Sequence, residues 1–167
     1  MGLGSPRHAA APVELRSASA GRLGTWMRAL LRRGAPRARV VAPRRIALGA
    51  ALTVEWGIDC PAGNVTSVRV TLVGHEIARQ RLSARTGIHV VSKASAFTIL
   101  ELARVAPERG QRVVYGRDTA TVPRRTMTSF AGAYNEIAWA IVVEADLGAA
   151  PPLRESFPIV VVPGPHA

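Results

Sequence analysis

The sequence has few of the residues that cross-link small proteins or carry out chemistry. Cysteine occurs only at Cys60, so no disulfide can form within the chain, and a zinc site built from several thiolates is excluded. No apolar run approaches the roughly 20 residues that a membrane-spanning helix needs. The N-terminus also lacks the apolar stretch of a secretory signal, and we therefore expect a cytoplasmic protein.

Recognisable catalytic motifs are missing as well. His75 and Glu76 begin like the HExxH motif of zinc proteases, but Arg79 stands where the second histidine is required. The sequence contains neither a G-x-S-x-G nucleophile elbow nor a glycine-rich phosphate loop. We therefore expect no catalytic residues, no metal and no cofactor, and the sequence favours a protein that is not an enzyme.

Acidic residues are almost missing from the first part of the chain. Residues 1–45 contain ten arginines against Glu14 alone, which gives a net charge of +9. Residues 46–167 contain twelve basic and ten acidic residues, which gives +2. Attraction to anionic surfaces is therefore predicted for the N-terminal segment.

We predict a basic tail over residues 1–37 that is dispensable for folding. Residues 1–20 are rich in Ala, Ser, Gly and Pro and are predicted to lack regular structure. Residues 20–33 fit an amphipathic helix, with apolar side chains on one arc and arginines on the other. Nucleic acid is disfavoured as its partner, because only Trp26 offers a ring for base stacking. The residues expected to contact an anionic surface are Arg22, Trp26, Arg28, Arg32 and Arg33.

The clearest element of the remaining chain is a β-strand over Asn135–Asp146. Large apolar residues alternate there with small or charged ones, as in a strand with one buried face. Turn-prone segments flank it on both sides, so we predict that this is the central strand of an antiparallel sandwich, with Trp139 in the core. The residues on its inner face are Ile137, Trp139, Ile141 and Val143.

Other short alternating segments complete an all-β domain over residues 38–163, followed by a C-terminal tail at 164–167. One contains Trp56, which is also expected in the core. A strand near Arg39 is predicted to lie at a sheet edge, because Pro43 cannot donate a backbone hydrogen bond. Residues 79–96 show a mixed pattern and are predicted to form an irregular crossing. The alternating positions are Leu52 to Ile58, Val68 to Leu72 (extending toward Ala78), Val113 with Tyr115, and Phe157 to Val161.

Several of these positions together resemble the arrestin-like family, in the version with immunoglobulin-like topology found in bacterial proteins. The resemblance covers about residues 40–163. It implies an antiparallel immunoglobulin-like β-sandwich and a non-enzymatic protein that binds, sorts or scaffolds others. The residues that carry it are Leu72, Gly74 and Glu76, then Pro123, Ser129 and Phe130, then Ile137 and Trp139, and finally Phe157 to Pro163.

Two functions follow as hypotheses. The first is a scaffold or adaptor that binds a protein partner, whose identity is unknown, by pairing at an exposed strand edge. The second is a peripheral membrane module, in which the 20–33 helix lies among anionic headgroups and associates a cytoplasmic protein with the membrane.

Overall fold

The computed structural model describes residues 11–16, 35–84 and 87–164, and for residues 81–84 and 87–90 it describes the backbone alone. All regular structure in these ranges is β-strand. The strands are β1 (Pro12–Leu15), β2 (Arg37–Pro43), β3 (Arg45–Ala47), β4 (Ala51–Asp59), β5 (Ser67–Ala84), β6 (Gly87–Val105), β7 (Val113–Thr121), β8 (Phe130–Ala131), β9 (Asn135–Leu147) and β10 (Ala150–Val162).

The strands form two sheets that pack face to face as a β-sandwich. One sheet has the order β1-β2-β4-β7, and the other has the order β3-β10-β9-β5-β6, with β8 pairing at the start of β9. All pairs are antiparallel except β3 with β10. The predicted fold class, an all-β sandwich of mainly antiparallel strands, is confirmed.

The core lies between the inner faces of the two sheets, where the sequence pattern places it. β4 alternates between exposed and buried positions along its whole length, with Trp56 on the buried side. In β9, Trp139 is 1% exposed, and its ring meets that of Phe97 edge to face at a centroid distance of 5.4 Å. β9 lies between β10 and β5, so its prediction as a central strand is confirmed.

Strand β2 is not an edge strand, contrary to the expectation from Pro43. It pairs with β4 on one side and with β1 on the other. Pro43 is tolerated because it lies at the last pair of the β1–β2 ladder, opposite Pro12. The chain then bends at Arg44, and β3 joins the other sheet beside β10.

Strand β1 also corrects the prediction that residues 1–20 lack regular structure. Pro12–Leu15 pairs with β2, and Leu15 is buried in the core. The four residues show no long alternation, so their pairing depends on the partner strand rather than on a local pattern. Residues 1–37 therefore include a part of the sandwich, and the predicted tail is wrong at this strand.

Residues 79–96 are regular rather than an irregular crossing. β5 and β6 form one long hairpin, and β5 leaves its other partner β9 after the pair Ala78↔Asn135. Beyond that pair, the segments 79–84 and 87–92 pair only with each other among the described residues. We call this projecting two-stranded ribbon the arm. Residues 91–96 of β6, which run from the arm into the sheet, are all exposed, so this stretch shows no alternation between buried and exposed positions.

The segment between β7 and β9 closes the end of the sandwich from which the arm projects. The indole Nε1 of Trp139 donates to the carbonyl oxygen of Met127 at 3.0 Å, and Ser129 exchanges two hydrogen bonds with Val161. The predicted loop therefore follows a fixed path and contains the short strand β8.

Candidate functional site: the free edge of strand β7

Free strand edges are the features of this sandwich that can pair with another chain, and most of them are short or interrupted. β1 has four residues and begins at Pro12, and β3 has three residues. β10 is covered by β3 only at Val160–Val162, but it carries Pro151, Pro152 and Pro158. β6 is long, yet its register with β5 shifts twice. Prolines, bulges and short length all discourage edge pairing.

Strand β7 carries none of these interruptions. Its nine residues contain no proline, and its register with β4 is continuous from Ala51↔Thr121 to Asp59↔Val113. No other strand among the described residues pairs with its second edge. β7 is therefore a regular edge with its backbone open to an added strand.

The hydrogen bonds at the two ends of the β4–β7 ladder show which backbone groups of β7 are free. Cys60 N–H donates to Arg112 O at 2.7 Å, and Val122 N–H donates to Ala50 O at 3.0 Å. Antiparallel ladders alternate between bonded and non-bonded pairs, so the even-numbered residues of β7 bond to β4. The residues that direct N–H and C=O groups to the open edge are Val113, Tyr115, Arg117, Thr119 and Thr121.

The same odd-numbered residues present their side chains on the outer face of the sheet. Tyr115 is 81% exposed and Val113 is 57% exposed. Tyr115 lies opposite Gly57, whose missing side chain leaves the tyrosine ring without a cross-strand neighbour on β4. Beside it, Arg117 forms a weak ion pair with Glu55 at 3.7 Å. The edge is thus flanked by an exposed apolar pair and a surface charge.

Side chains on the inner side hold β7 against β4. The indole Nε1 of Trp56 donates to Asp118 Oδ2 at 2.8 Å, which satisfies a carboxylate on the inward parity of an edge strand. The Trp56 ring occupies the space where Gly116 lacks a side chain, since a Cβ there would lie 2.5 Å from it. An exposed edge strand is therefore anchored by a buried ring.

A second feature is a shallow concavity of about 720 Å³ at the end of the larger sheet where β5 begins and β9 ends. Its charged side chains are paired with one another or with residues beside them: Arg154 lies 2.9 Å from Glu144, and Arg69 lies 3.1 Å from Glu101. Arg104 also binds Glu101 at 2.8 Å, and its hydrogen bond lowers the pKa of that carboxyl and raises the pKa of the guanidinium. These pairs lie on the exposed sheet surface, where ion pairs contribute little to stability.

The thiol of Cys60 is buried and donates to Asn64 Oδ1 at 3.1 Å. Within residues 11–16, 35–84 and 87–164, no three His, Cys, Asp or Glu side chains come together in a group that could hold a metal ion. In the same part of the chain, no helix is long and apolar enough to cross a membrane.

The predicted anionic-surface residues all lie outside the described ranges, as does the 20–33 helix, and they stay predictions. The sequence did predict β7 as a strand, but it could not identify it as an edge, because strand order depends on long-range pairing. The one available signal was the absence of proline from Val113 to Thr121.

Comparison with solved structures identifies proteins with a similar fold. It is similar to the sporulation control protein Spo0M from Bacillus subtilis, at a TM-score of 0.53 and 15% sequence identity, over 79% of this chain and 51% of that chain. This chain therefore spans about half the length of Spo0M, and the similarity shows the arrestin-like fold alone. A β-glucosidase from Listeria innocua matches at 13% identity over 79% of this chain and 16% of that one, but its TM-score of 0.35 carries no argument. No protein-family model and no curated protein matches the sequence.

Proposed function

We propose that the protein is a non-enzymatic scaffold or adaptor that binds a partner by adding an extended peptide segment to the edge of β7. The observation that carries the proposal is the regular nine-residue edge, in which every second residue directs N–H and C=O groups outward. Unpaired groups of this kind supply the main-chain hydrogen bonds of peptide recognition by strand addition.

The side chains beside the edge favour a partner segment with an apolar residue. In an added strand, alternate side chains lie on the outer face, next to Tyr115 and Val113. Exposed aromatic residues are enriched among the residues that dominate binding energy at interfaces. The fold is compatible with this function, since the similar structure Spo0M is described as a sporulation control protein.

The proposal is tested with a peptide selected from a library of random linear peptides against the purified full-length protein. Thr119→Pro removes an outward N–H but no backbone bond to β4, so the fold is retained while the edge is blocked. We expect binding to weaken by about tenfold or more, the factor that roughly 1.4 kcal/mol corresponds to. Thr119→Ala is the matched control, because it loses the same hydroxyl contact with Thr53 but keeps the N–H.

Equal affinity of the Thr119→Pro and Thr119→Ala variants for every selected peptide would refute strand addition at β7. Circular dichroism and thermal melting of both variants confirm that the sandwich is intact before affinities are compared.

A further inference from the structure

The end of the sandwich that bears the arm exposes an unusual number of apolar side chains. Met127, Phe130 and Tyr134, in the segment between β7 and β9, are 41%, 54% and 64% exposed. Val91, on the arm opposite Gln80, is 49% exposed. We call the arm together with residues 123–134 the arm-end surface. Exposed apolar groups clustered in this way typically mark an interaction site.

Hydrogen bonds fix the two parts of the arm-end surface relative to each other. The backbone N–H of Arg79 donates to the carbonyl oxygen of Tyr134 at 2.7 Å, which joins the arm to the turn before β9. The hydroxyls of Thr98 and Thr126 lie 2.9 Å apart and join β6 to the segment after β7. Phe130 is held in β8 by its pairing with Ile137. The exposed apolar groups are therefore parts of one ordered surface.

Within residues 46–167, the excess of positive charge lies at the same end of the sandwich. Among the described residues, Arg79, Arg81 and Lys93 lie on the β5–β6 hairpin, and the segment after β7 adds Arg124 and Arg125. Among the described residues of the β5–β6 hairpin and the segment between β7 and β9, with their partner strand β9, the carboxylates at this end are Glu76 and Glu136, and Glu136 is bound by Arg79. Apart from residues 76–100, Arg124, Arg125 and Glu136, residues 46–167 contain six basic and eight acidic residues. The net charge of residues 46–167, +2, is therefore the sum of a positive part at the arm end and a slightly negative remainder.

From this combination we propose that the arm-end surface docks on an anionic lipid membrane. Peripheral membrane binding combines burial of apolar side chains in the headgroup boundary with attraction of basic residues to acidic lipids. Nucleic acid would pair with the basic side chains but leave the aliphatic side chains of Met127 and Val91 in water. The site is distinct from the β7 edge and does not depend on the binding of a peptide there.

A fluorescent label reports insertion directly. Cys60 is the only cysteine and is 1% exposed, so a Tyr134→Cys variant of the full-length protein takes a polarity-sensitive dye at one accessible position. We expect a blue shift and increased emission with vesicles of phosphatidylcholine and phosphatidylglycerol, and no change with phosphatidylcholine alone. A dye at Tyr115→Cys, on the outer face of the other sheet, should not respond to either vesicle. An equal response at both positions, or none at Tyr134→Cys, would overturn the proposal.

Variants that remove basic residues test the electrostatic contribution to membrane binding against a matched control. Arg124→Gln with Arg125→Gln should lower the partition coefficient on acidic vesicles about thirtyfold, since each surface cation contributes a factor of about five. Arg109→Gln with Arg112→Gln removes the same charge at the opposite end and should have little effect. Equal loss in both pairs, or none in the first, would contradict docking by this surface. Binding to double-stranded DNA in place of vesicles, with the dye unshifted, would assign the surface to nucleic acid and refute the lipid proposal.

Discussion

Trp56 and Asp118 form a hydrogen bond of 2.8 Å between the indole Nε1 and the carboxylate Oδ2, across the β4–β7 pair. The bond gives a charged side chain on the inward parity of an edge strand a partner from the core. An inward carboxylate without a partner would be costly to bury and would discourage pairing at this edge, but the bond from Trp56 removes that cost. Here the bond anchors β7 while the strand keeps its outer backbone groups open.

We expect Trp56→Phe to destabilise the protein by about 1.5–3 kcal/mol, the usual contribution of a hydrogen bond to a charged group. Part of the loss arises because Asp118 is left without its donor in a half-buried position. Urea denaturation measures the change in free energy of unfolding. Tyr115→Phe is the control, since its side chain is 81% exposed and should change stability little. Equal midpoints for Trp56→Phe and the unmodified protein would show that the bond contributes nothing.

Trp139→Ala should cost about 3–5 kcal/mol, as is typical for an aromatic side chain cut from a core. Trp139 is 1% exposed, contacts Phe97 and donates to Met127, so its loss leaves a cavity and an unpaired carbonyl. Tyr134→Ala, at an exposed position, is the control for removing a ring. A comparable loss of stability in both variants would contradict the assignment of Trp139 to the core.

Gly74→Ala should destabilise the protein although it adds only one methyl group. A Cβ at this position would lie 2.6 Å from the ring of Phe97 and 3.0 Å from that of Trp139. Overpacking of this kind typically costs about 1–3 kcal/mol. Thermal melting should show the fall, and a restored midpoint in the double variant Gly74→Ala with Phe97→Leu would identify the ring contact as its cause. No fall in the single variant would disprove the close packing.

Leu15→Ala tests whether β1 belongs to the folded domain. Leu15 is 6% exposed, and a buried leucine cut to alanine typically costs about 2–5 kcal/mol. Glu14→Ala, its exposed neighbour in the same strand, should have little effect on the denaturant midpoint. Indistinguishable denaturant midpoints for Leu15→Ala and Glu14→Ala would show that Pro12–Leu15 is part of a dispensable tail.

The pKa of Glu101 should lie below the usual range of a glutamate, mainly because of its hydrogen bond from Arg104. A carboxyl whose pKa is lowered on folding adds stability above its unfolded pKa, and this stability is lost as the pH falls through the folded value. The group is exposed, so we expect only a small effect on stability. An NMR titration of the Glu101 side chain measures the pKa directly, and Arg104→Ala should raise it. An unchanged Glu101 pKa in that variant would show that the hydrogen bond from Arg104 is not the cause of the lowered value.

The sequence predicted strands well where one face is buried and failed where pairing decides the structure. β4 and β9 alternate clearly because one side packs on the core, so their type, inner residues and tryptophans were all predictable. Residues 91–96 of β6 are all exposed, so this part of 79–96 gave no alternation even though it is regular. Pro43 was misleading for a similar reason: a proline marks a missing donor but not which strand lies beside it.

The sequence predicted that the site would be an exposed strand edge, but not which strand provides it. An exposed edge is expected of any open sandwich, but the identity of that edge depends on the order of strands in the sheet. That order follows from contacts between residues far apart in sequence, such as Trp56 with Asp118, which no local pattern contains. The positive end of the sandwich was likewise hidden, because the charges of residues 46–167 almost cancel when counted along the chain.

Residue-resolved amide hydrogen exchange across β7 tests the central claim most directly. In the free protein, the amides of Tyr115, Arg117 and Thr119 should exchange fast, while those of Gly116 and Asp118, bonded to β4, should be protected. Adding a selected peptide should protect the three odd-numbered amides and leave the even-numbered ones unchanged. Odd-numbered amides that are already protected in the free protein, or that stay unprotected in the complex, would contradict binding by strand addition at β7.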